Sequence, residues 1–141
     1  MNVSENGIKL IKQFEGCKLQ AYKCPAGFWT IGYGHTKGVK KDDKCSNSLA
    51  ETYLKEDLKE FEHAINTLVK VELNQNQFDA LVSFAFNVGT SAFEKSAMLK
   101  FINAGHFPLA AGQFDRWIYA SGKVLNGLVK RRKVEKELFL S

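Results

Sequence analysis

Glu15, Cys24 and Thr30 place an acid, a thiol and a hydroxyl within one short segment of the chain, and the glycine-punctuated run TIGYGHT begins at Thr30. We predict that a first helix ends on Glu15. A tight β-hairpin after it would carry the two smaller polar groups back towards the acid. This arrangement can form the lip of a cleft with an acid on one wall, although spacing alone is more typical of an ordinary surface glutamate near a helix end.

The position of Glu15 at a helix C-terminus has a chemical consequence. The partial negative charge of the helix end disfavours an ionised carboxylate, so a glutamate there tends to keep its proton. A protonated carboxylic acid is the group that a glycosidase uses to protonate its leaving oxygen. The residue type and its position are therefore compatible with general acid catalysis.

The elements that must position these groups follow from the apolar spacing. Ser4 can cap a first helix that stops near Gly16, and residues 17–46 are strand-like with turns at their glycines. Ser48 and Glu51 form a capping-box pattern at the start of a long helix. The apolar stripe of that helix is Leu54, Leu58, Phe61, Ile65 and Leu68.

Further helices are predicted in the second half of the chain. Asn74 with Gln77 marks the start of an apolar helix that ends at Gly89, and a short turn begins at Ser91. Helices are also expected from Ser96 to about Gly105, around Pro108 to about Tyr119, and over 128–140. The fold class is therefore α+β and mostly α, with one small β-region near the N-terminus.

Composition limits the class of protein. The chain has 141 residues, 45% of them hydrophobic and 25% charged, which predicts one folded domain. No apolar run approaches the roughly 20 residues of a membrane helix, and the first residues lack the pattern of a signal peptide. Three cysteines without zinc-ligand spacing predict reduced thiols and no metal. The net charge of +5 favours polyanionic partners.

Several motifs together resemble one family, the phage-type lysozymes of glycoside hydrolase family 24. They are QFEG around Glu15, the Tyr22-Lys23 pair, TIGYGHT, SFAFNVG over 83–89, and LVKRR through the ELFL end. The resemblance implies a two-lobed lysozyme-like fold with a small β lobe at about 17–47, a connecting helix at about 48–69, and a helical lobe at about 70–141 plus the N-terminal helix. It also implies that Glu15 is the catalytic acid.

Cys24 departs from the pattern of many relatives, which carry aspartate at this position. Three interpretations are open: a thiolate base for inverting hydrolysis, a nucleophile for retaining hydrolysis, or a small polar residue beside a reaction that Glu15 and Thr30 carry out. A free thiol is mostly neutral at pH 7 unless its surroundings lower its pKa. Thr30 matches the family's active-site threonine, which would orient the attacking water.

The resemblance also suggests substrate-binding residues, namely His35, Phe86, Asn87 and Ser96. His35 could bind sugar or hold the hairpin. One arginine of the KRRK cluster (130–133) would brace the catalytic glutamate, without the sequence indicating which. That cluster is a weak nucleic-acid signal, because Glu135 and Glu137 lie on the same helix face as Arg131 and Lys133.

The function that the resemblance implies is that of an endolysin, which hydrolyses the β-1,4 bond between N-acetylmuramic acid and N-acetylglucosamine in bacterial peptidoglycan. No cofactor, nucleic acid or stable membrane insertion is expected. The protein would be a monomer that waits in the host cytoplasm and depends on a holin for release towards the periplasm or cell wall. The alternatives are a lytic transglycosylase, which leaves 1,6-anhydro ends, and a non-catalytic cationic protein that binds walls or membranes.

Overall fold

The computed structural model describes residues 1–141, and they form seven α-helices, one 3-10 helix and two small antiparallel sheets. The helices are α1 (Glu5–Glu15), α2 (Asn47–Leu68), α3 (Gln75–Val88), α4 (Thr90–Glu94), α5 (Ala97–Asn103), α6 (Phe107–Gln113) and α7 (Asn126–Leu140), and the 3-10 helix is Phe114–Arg116. Strands β1 (Lys18–Lys23) and β2 (Trp29–Gly32) form the first hairpin, and β3 (Tyr119–Ala120) and β4 (Lys123–Val124) form the second. The α+β, mostly α class is as predicted. No helix is long and apolar enough to cross a membrane.

The residues separate into two compact units. The hairpin unit comprises Ile8–Glu60, and the larger unit comprises Met1–Gly7 together with Phe61–Ser141. Helices α1 and α2 each contribute residues to both units. The helix predicted at about 48–69 is α2, whereas the predicted lobe boundaries stay a prediction.

The hairpin unit is built on the first part of α2 and on α1. Ile11, Leu54 and Leu58 are almost fully buried, which places the predicted apolar faces of both helices in its core. Strand β2 approaches the start of α2 closely at Gly32, whose φ is +67° and where a Cβ atom would lie 3.2 Å from that of Ala50. Any larger residue at position 32 would therefore meet both backbone strain and a close contact.

Helix α3 lies at the centre of the larger unit. Asn74 and Gln77 form the predicted capping box at its N-terminus, and Gly89 ends it. The buried residues of α3 include Phe78, Leu81, Val82 and Ala85, as the apolar pattern predicts. The Phe84 ring also makes edge contacts with Phe93, Phe114 and Trp117, at centroid distances of 6.4, 5.3 and 5.4 Å.

Two predicted element boundaries are wrong. Helix α2 begins one residue before Ser48, and Ser46 caps it by accepting a hydrogen bond from the Leu49 amide at 3.0 Å. With Ser46 as the cap, Leu49 and not Glu51 stands at the third helical position, so no capping box forms, and Glu51 makes an ion pair with Lys12 of α1. The helix expected to reach about Tyr119 also stops earlier, since α6 ends at Gln113 and the 3-10 helix follows.

The second hairpin, β3–β4, was not predicted. Tyr119 pairs with Val124 and Ala120 with Lys123, so only Ser121 and Gly122 form the loop. Both loop residues have positive φ, +51° and +78°, as a two-residue type I′ turn requires. Strands of two exposed residues carry no alternating pattern, and serine is not the usual first residue of such a turn, so the sequence does not reveal the hairpin.

Candidate active site

Glu15 is the last residue of α1, as predicted, and its side chain is half-buried. The helix stops because Gly16 takes a left-handed conformation with φ +69°, and its amide donates to the Lys12 carbonyl at 3.1 Å. The carboxyl group is thus held at the negative end of the helix, next to the strand that leads to Cys24. The role of Glu15 as the catalytic acid stays a prediction.

Cys24 occupies the first position of a tight turn that closes the β1–β2 hairpin. The Gly27 amide donates to the Cys24 carbonyl at 2.8 Å, and the Cys24 amide donates to the Phe28 carbonyl at 2.9 Å. Pro25 and Gly27, with φ +89°, match a type I turn followed by a left-handed residue. Aspartate and asparagine are favoured at the first position of such turns because their side chains accept hydrogen bonds from the following amides.

The Cys24 sulfur likewise interacts with the backbone amides that follow it in this turn. The Phe28 backbone amide hydrogen-bonds the thiol and holds the pKa of Cys24 below its ordinary value, with further help from the Ala26 and Gly27 amides and the Thr30 hydroxyl. Partial burial raises the pKa, but this effect does not outweigh the hydrogen bonds. The turn therefore favours the thiolate form of Cys24.

Thr30 lies on β2 directly across the hairpin from Tyr22 and is buried. Its single hydroxyl proton can go to the Phe28 carbonyl, at 3.0 Å, or to the Cys24 sulfur. The charge of the thiol decides between these partners, since a thiolate accepts the proton more strongly than a neutral thiol does. The Thr30 hydroxyl is one of the groups that lower the pKa of Cys24, and the catalytic roles of both residues stay predictions.

His35 is held rigidly in the hairpin unit. Its backbone amide and carbonyl both bond Ile31, its ring stacks on Tyr53 at 4.1 Å, and its Nδ1 lies 2.9 Å from the nearer carboxylate oxygen of Asp57. The side chain is 8% exposed. Of the two roles considered for His35, holding the hairpin is the one that these contacts support, while sugar binding stays a prediction.

Phe86 and Asn87 occupy the last turn of α3 in the larger unit. Phe86 is half-buried and its ring meets Phe61 edge-on at 5.1 Å. Asn87 is exposed, and its carboxamide oxygen accepts a hydrogen bond from Arg132. Both remain candidate substrate-binding residues.

Ser96 is placed differently from the other candidates. Its hydroxyl donates to the Phe93 carbonyl at 2.6 Å and accepts from the Leu99 amide at 3.1 Å, so that it caps α5. The residue is buried. These contacts account for the serine structurally, and a contact between Ser96 and substrate stays a prediction.

The larger unit also contains a buried ionic network. Glu135 is fully buried and accepts hydrogen bonds from Ser83 at 2.6 Å, Arg131 at 3.1 Å and Arg132 at 2.5 Å. In the RRKVE run, Arg131 pairs with Glu135 at i+4, as the sequence indicates, and Arg132 pairs with the same glutamate at i+3, which the same spacing rule could have revealed. Nothing local indicates that Ser83 or Asn87 joins them.

Comparison with known proteins identifies the family. The model of the family described as phage lysozyme matches residues 12–135. The chain belongs to the phage lysozyme family. The structure is also similar to the muramidase domain of SpmX from Asticaccaulis excentricus, with 43% identity and a TM-score of 0.95 over 99% of this chain and 98% of that one. The predicted lysozyme fold is thereby confirmed.

Relatives named as endolysins cover the full chain. The chain is 46% identical to an endolysin of Acyrthosiphon pisum secondary endosymbiont phage 1, over 100% of this chain and 99% of the relative. It is 48% identical to the endolysin of Bacillus phage B103 and spans 55% of the length of that protein. The prediction of a glycosidase of the muramidase type agrees with these names.

Proposed function

We propose that the protein is an endolysin that hydrolyses the β-1,4 bond between N-acetylmuramic acid and N-acetylglucosamine in bacterial peptidoglycan. Family membership supports the reaction class. The observation that carries the mechanism is the hairpin turn closed by the Gly27 and Cys24 amides, in which backbone amides and the Thr30 hydroxyl lower the pKa of Cys24. Glu15, at the end of the helix that precedes this hairpin, supplies the acid.

In the proposed reaction, Glu15 donates its proton to the glycosidic oxygen as the bond to the anomeric carbon breaks. A water molecule attacks that carbon and loses a proton to the Cys24 thiolate. The Thr30 hydroxyl orients the water. One proton leaves Glu15 for the leaving oxygen, and one proton from the water reaches Cys24. Exchange with solvent then restores both groups.

A base role for Cys24 is favoured over a nucleophilic role. Aspartate is also favoured at the first position of a turn of this type. The turn therefore suits a carboxylate as well as a thiolate, and it has no feature specific to sulfur. Hydrogen bonds that stabilise a thiolate also lower its reactivity towards carbon. The proposal therefore expects inversion at the anomeric carbon.

The first test is mass spectrometry of purified peptidoglycan digested by the native protein, by Glu15→Gln and by the control Glu56→Gln. Glu56 is an exposed glutamate of α2 in the same unit. We expect reducing N-acetylmuramic ends from the native protein and the control, and none from Glu15→Gln. Anhydro ends would assign a transglycosylase instead, and the absence of new ends with all three proteins would indicate a non-catalytic cationic protein.

We also propose that the protein acts as a monomer and that it accumulates in the host cytoplasm until a holin opens the membrane. The relatives named as endolysins support a role in host cell lysis. Expression in bacteria with and without a membrane-permeabilising agent tests it. Lysis should require the agent, whereas spontaneous lysis would contradict the proposal, and sedimentation would report the oligomeric state.

A further inference from the structure

Strand β1 has a second neighbour besides β2. The segment just before α2 pairs with it in the antiparallel direction. The Ala21 amide donates to the Asp43 carbonyl at 2.8 Å, and the Cys45 amide donates to the Leu19 carbonyl at 2.9 Å. Cys45 thus lies across from Leu19. Because residues two apart along a strand share a face, Cys17 lies diagonally across from Cys45, where side chains still meet.

The two thiols interact in this arrangement. Burial raises the pKa of Cys45, and the neighbouring Cys17 raises it further, as a second group of the same charge does at short range. The Cys17 thiol also shares a hydrogen bond with the Tyr33 hydroxyl. Both cysteines are half-buried, and neither is in a disulfide. A pair of thiols is therefore held together at the opposite end of β1 from Cys24.

We propose that Cys17 and Cys45 are a redox pair, which forms a disulfide when the protein meets a small-molecule disulfide, and that Cys24 takes no part in this bond. One thiolate of the pair attacks the small disulfide, forms a mixed disulfide and releases one thiol. The second thiolate attacks the protein sulfur of that mixed disulfide and releases the other thiol. The two cysteines lose two electrons and two protons in total, and the small disulfide gains them.

The geometry favours Cys45 over Cys24 as the partner of Cys17. A disulfide holds its two Cα atoms about 4.4–6.8 Å apart. The whole of β1, 6 residues long, separates Cys17 from Cys24, and each extended residue spans about 3.3 Å. Those two thiols therefore meet only if β1 leaves its pairing with β2. Cys17 lies just outside the strand, so its approach to Cys45 leaves the strand pairing intact.

The bond would connect the ends of two helices within the hairpin unit. Cys17 follows Glu15, the last residue of α1, by two positions, and Cys45 precedes Asn47, the first residue of α2, by two positions. A cross-link that closes a loop of roughly 30 residues restricts the unfolded chain and should raise Tm by about 5–10 °C for a domain of this size. It would also fix the backbone next to Glu15.

Peptide mapping tests this inference. The reduced native protein is incubated with oxidised glutathione, the remaining thiols are alkylated, and the digest is analysed by mass spectrometry without reduction. We expect peptides joined through Cys17 and Cys45, and none joined through Cys24. Oxidation should raise the Tm of the native protein and of the control Cys24→Ser equally, and should not raise the Tm of Cys45→Ser.

The contrary results are equally specific. A disulfide that includes Cys24, glutathione that stays on Cys17 or Cys45 in the native protein, or no disulfide at all would overturn the inference. An equal rise of Tm in Cys45→Ser would also overturn it. Mapping of the native protein decides the question even if a serine variant does not fold. Neither thiol takes part in the proposed reaction, so a failure of hydrolysis and a failure of the cross-link are separate results.

Discussion

Replacing Glu135 with glutamine should destabilise the protein severely. Glu135 is fully buried, and its two carboxylate oxygens accept from Ser83, Arg131 and Arg132. Glutamine has nearly the same shape, but its amide nitrogen is a donor that would face one of these donors. The substitution therefore changes charge and hydrogen bonding without opening a cavity.

The size of the effect follows from the burial of all three charged groups. Arg131 and Arg132 have side chains 4% and 1% exposed, so solvent replaces little of the lost interaction. Removing one partner of a buried ion pair costs about 3–5 kcal/mol of unfolding free energy. At about 3 °C per kcal/mol for a domain of this size, Tm should fall by roughly 10–15 °C.

Urea and thermal unfolding followed by circular dichroism measure this change. The control is Glu137→Gln, which makes the same substitution two residues further along α7 at an exposed position and should cost less than about 0.5 kcal/mol. A loss below about 1 kcal/mol in Glu135→Gln, or equal losses in both variants, would refute the conclusion that the network stabilises the larger unit.

Three further predictions concern the hairpin unit. Activity should require the basic form of Cys24, and since hydrogen bonds lower the pKa of this thiol, the rise of kcat/KM with pH should lie below the ordinary range of a thiol near ~8.5. Cys24→Asp should keep activity and move the rise to more acidic pH, whereas full activity in Cys24→Ala would exclude a base role. Asp57→Asn should cost about 1–3 kcal/mol in urea unfolding by weakening the contact with His35, against no loss in an Asp42→Asn control. The hydrogen bond from Lys12 lowers the pKa of Glu51, so its contribution is present above the ordinary carboxyl value near ~4.3 and is lost as pH falls through the lowered folded-state value. Unfolding at several pH values should show Glu51→Gln less stable than the native protein at pH 7 but not in acid, and a difference that persists in acid would contradict this.

The local features of the fold could be predicted from the sequence. The capping box of Asn74 with Gln77 and the stop at Gly89 are both confirmed, because each depends on neighbours only a few residues away. The cap predicted at Ser48 is wrong because Ser46 caps the helix two residues earlier, and the ion pair of Glu51 with Lys12, 39 residues away, has no local signal at all. A local sequence pattern predicts contacts between residues a few positions apart. It does not predict which residue far along the chain will contact them.

The same distinction applies to the site. The turn at Cys24 can be anticipated from Pro25 and Gly27, whose types fit its backbone conformation. The contact of Arg132 with Asn87 joins residues 45 apart, and that of His35 with Asp57 joins residues 22 apart. Only the folded arrangement shows that these distant side chains orient the candidate site residues.

The hairpin turn around Cys24 has a consequence for the working lifetime of the protein. A half-exposed thiolate is the form of cysteine that peroxides oxidise, first to a sulfenic acid and then irreversibly to sulfinic and sulfonic acids. A carboxylate in the same turn would be inert to all of these reagents. If Cys24 is the base, oxidation of its thiolate begins to inactivate each molecule that leaves a reducing compartment. Lysis must then be completed faster than Cys24 is oxidised.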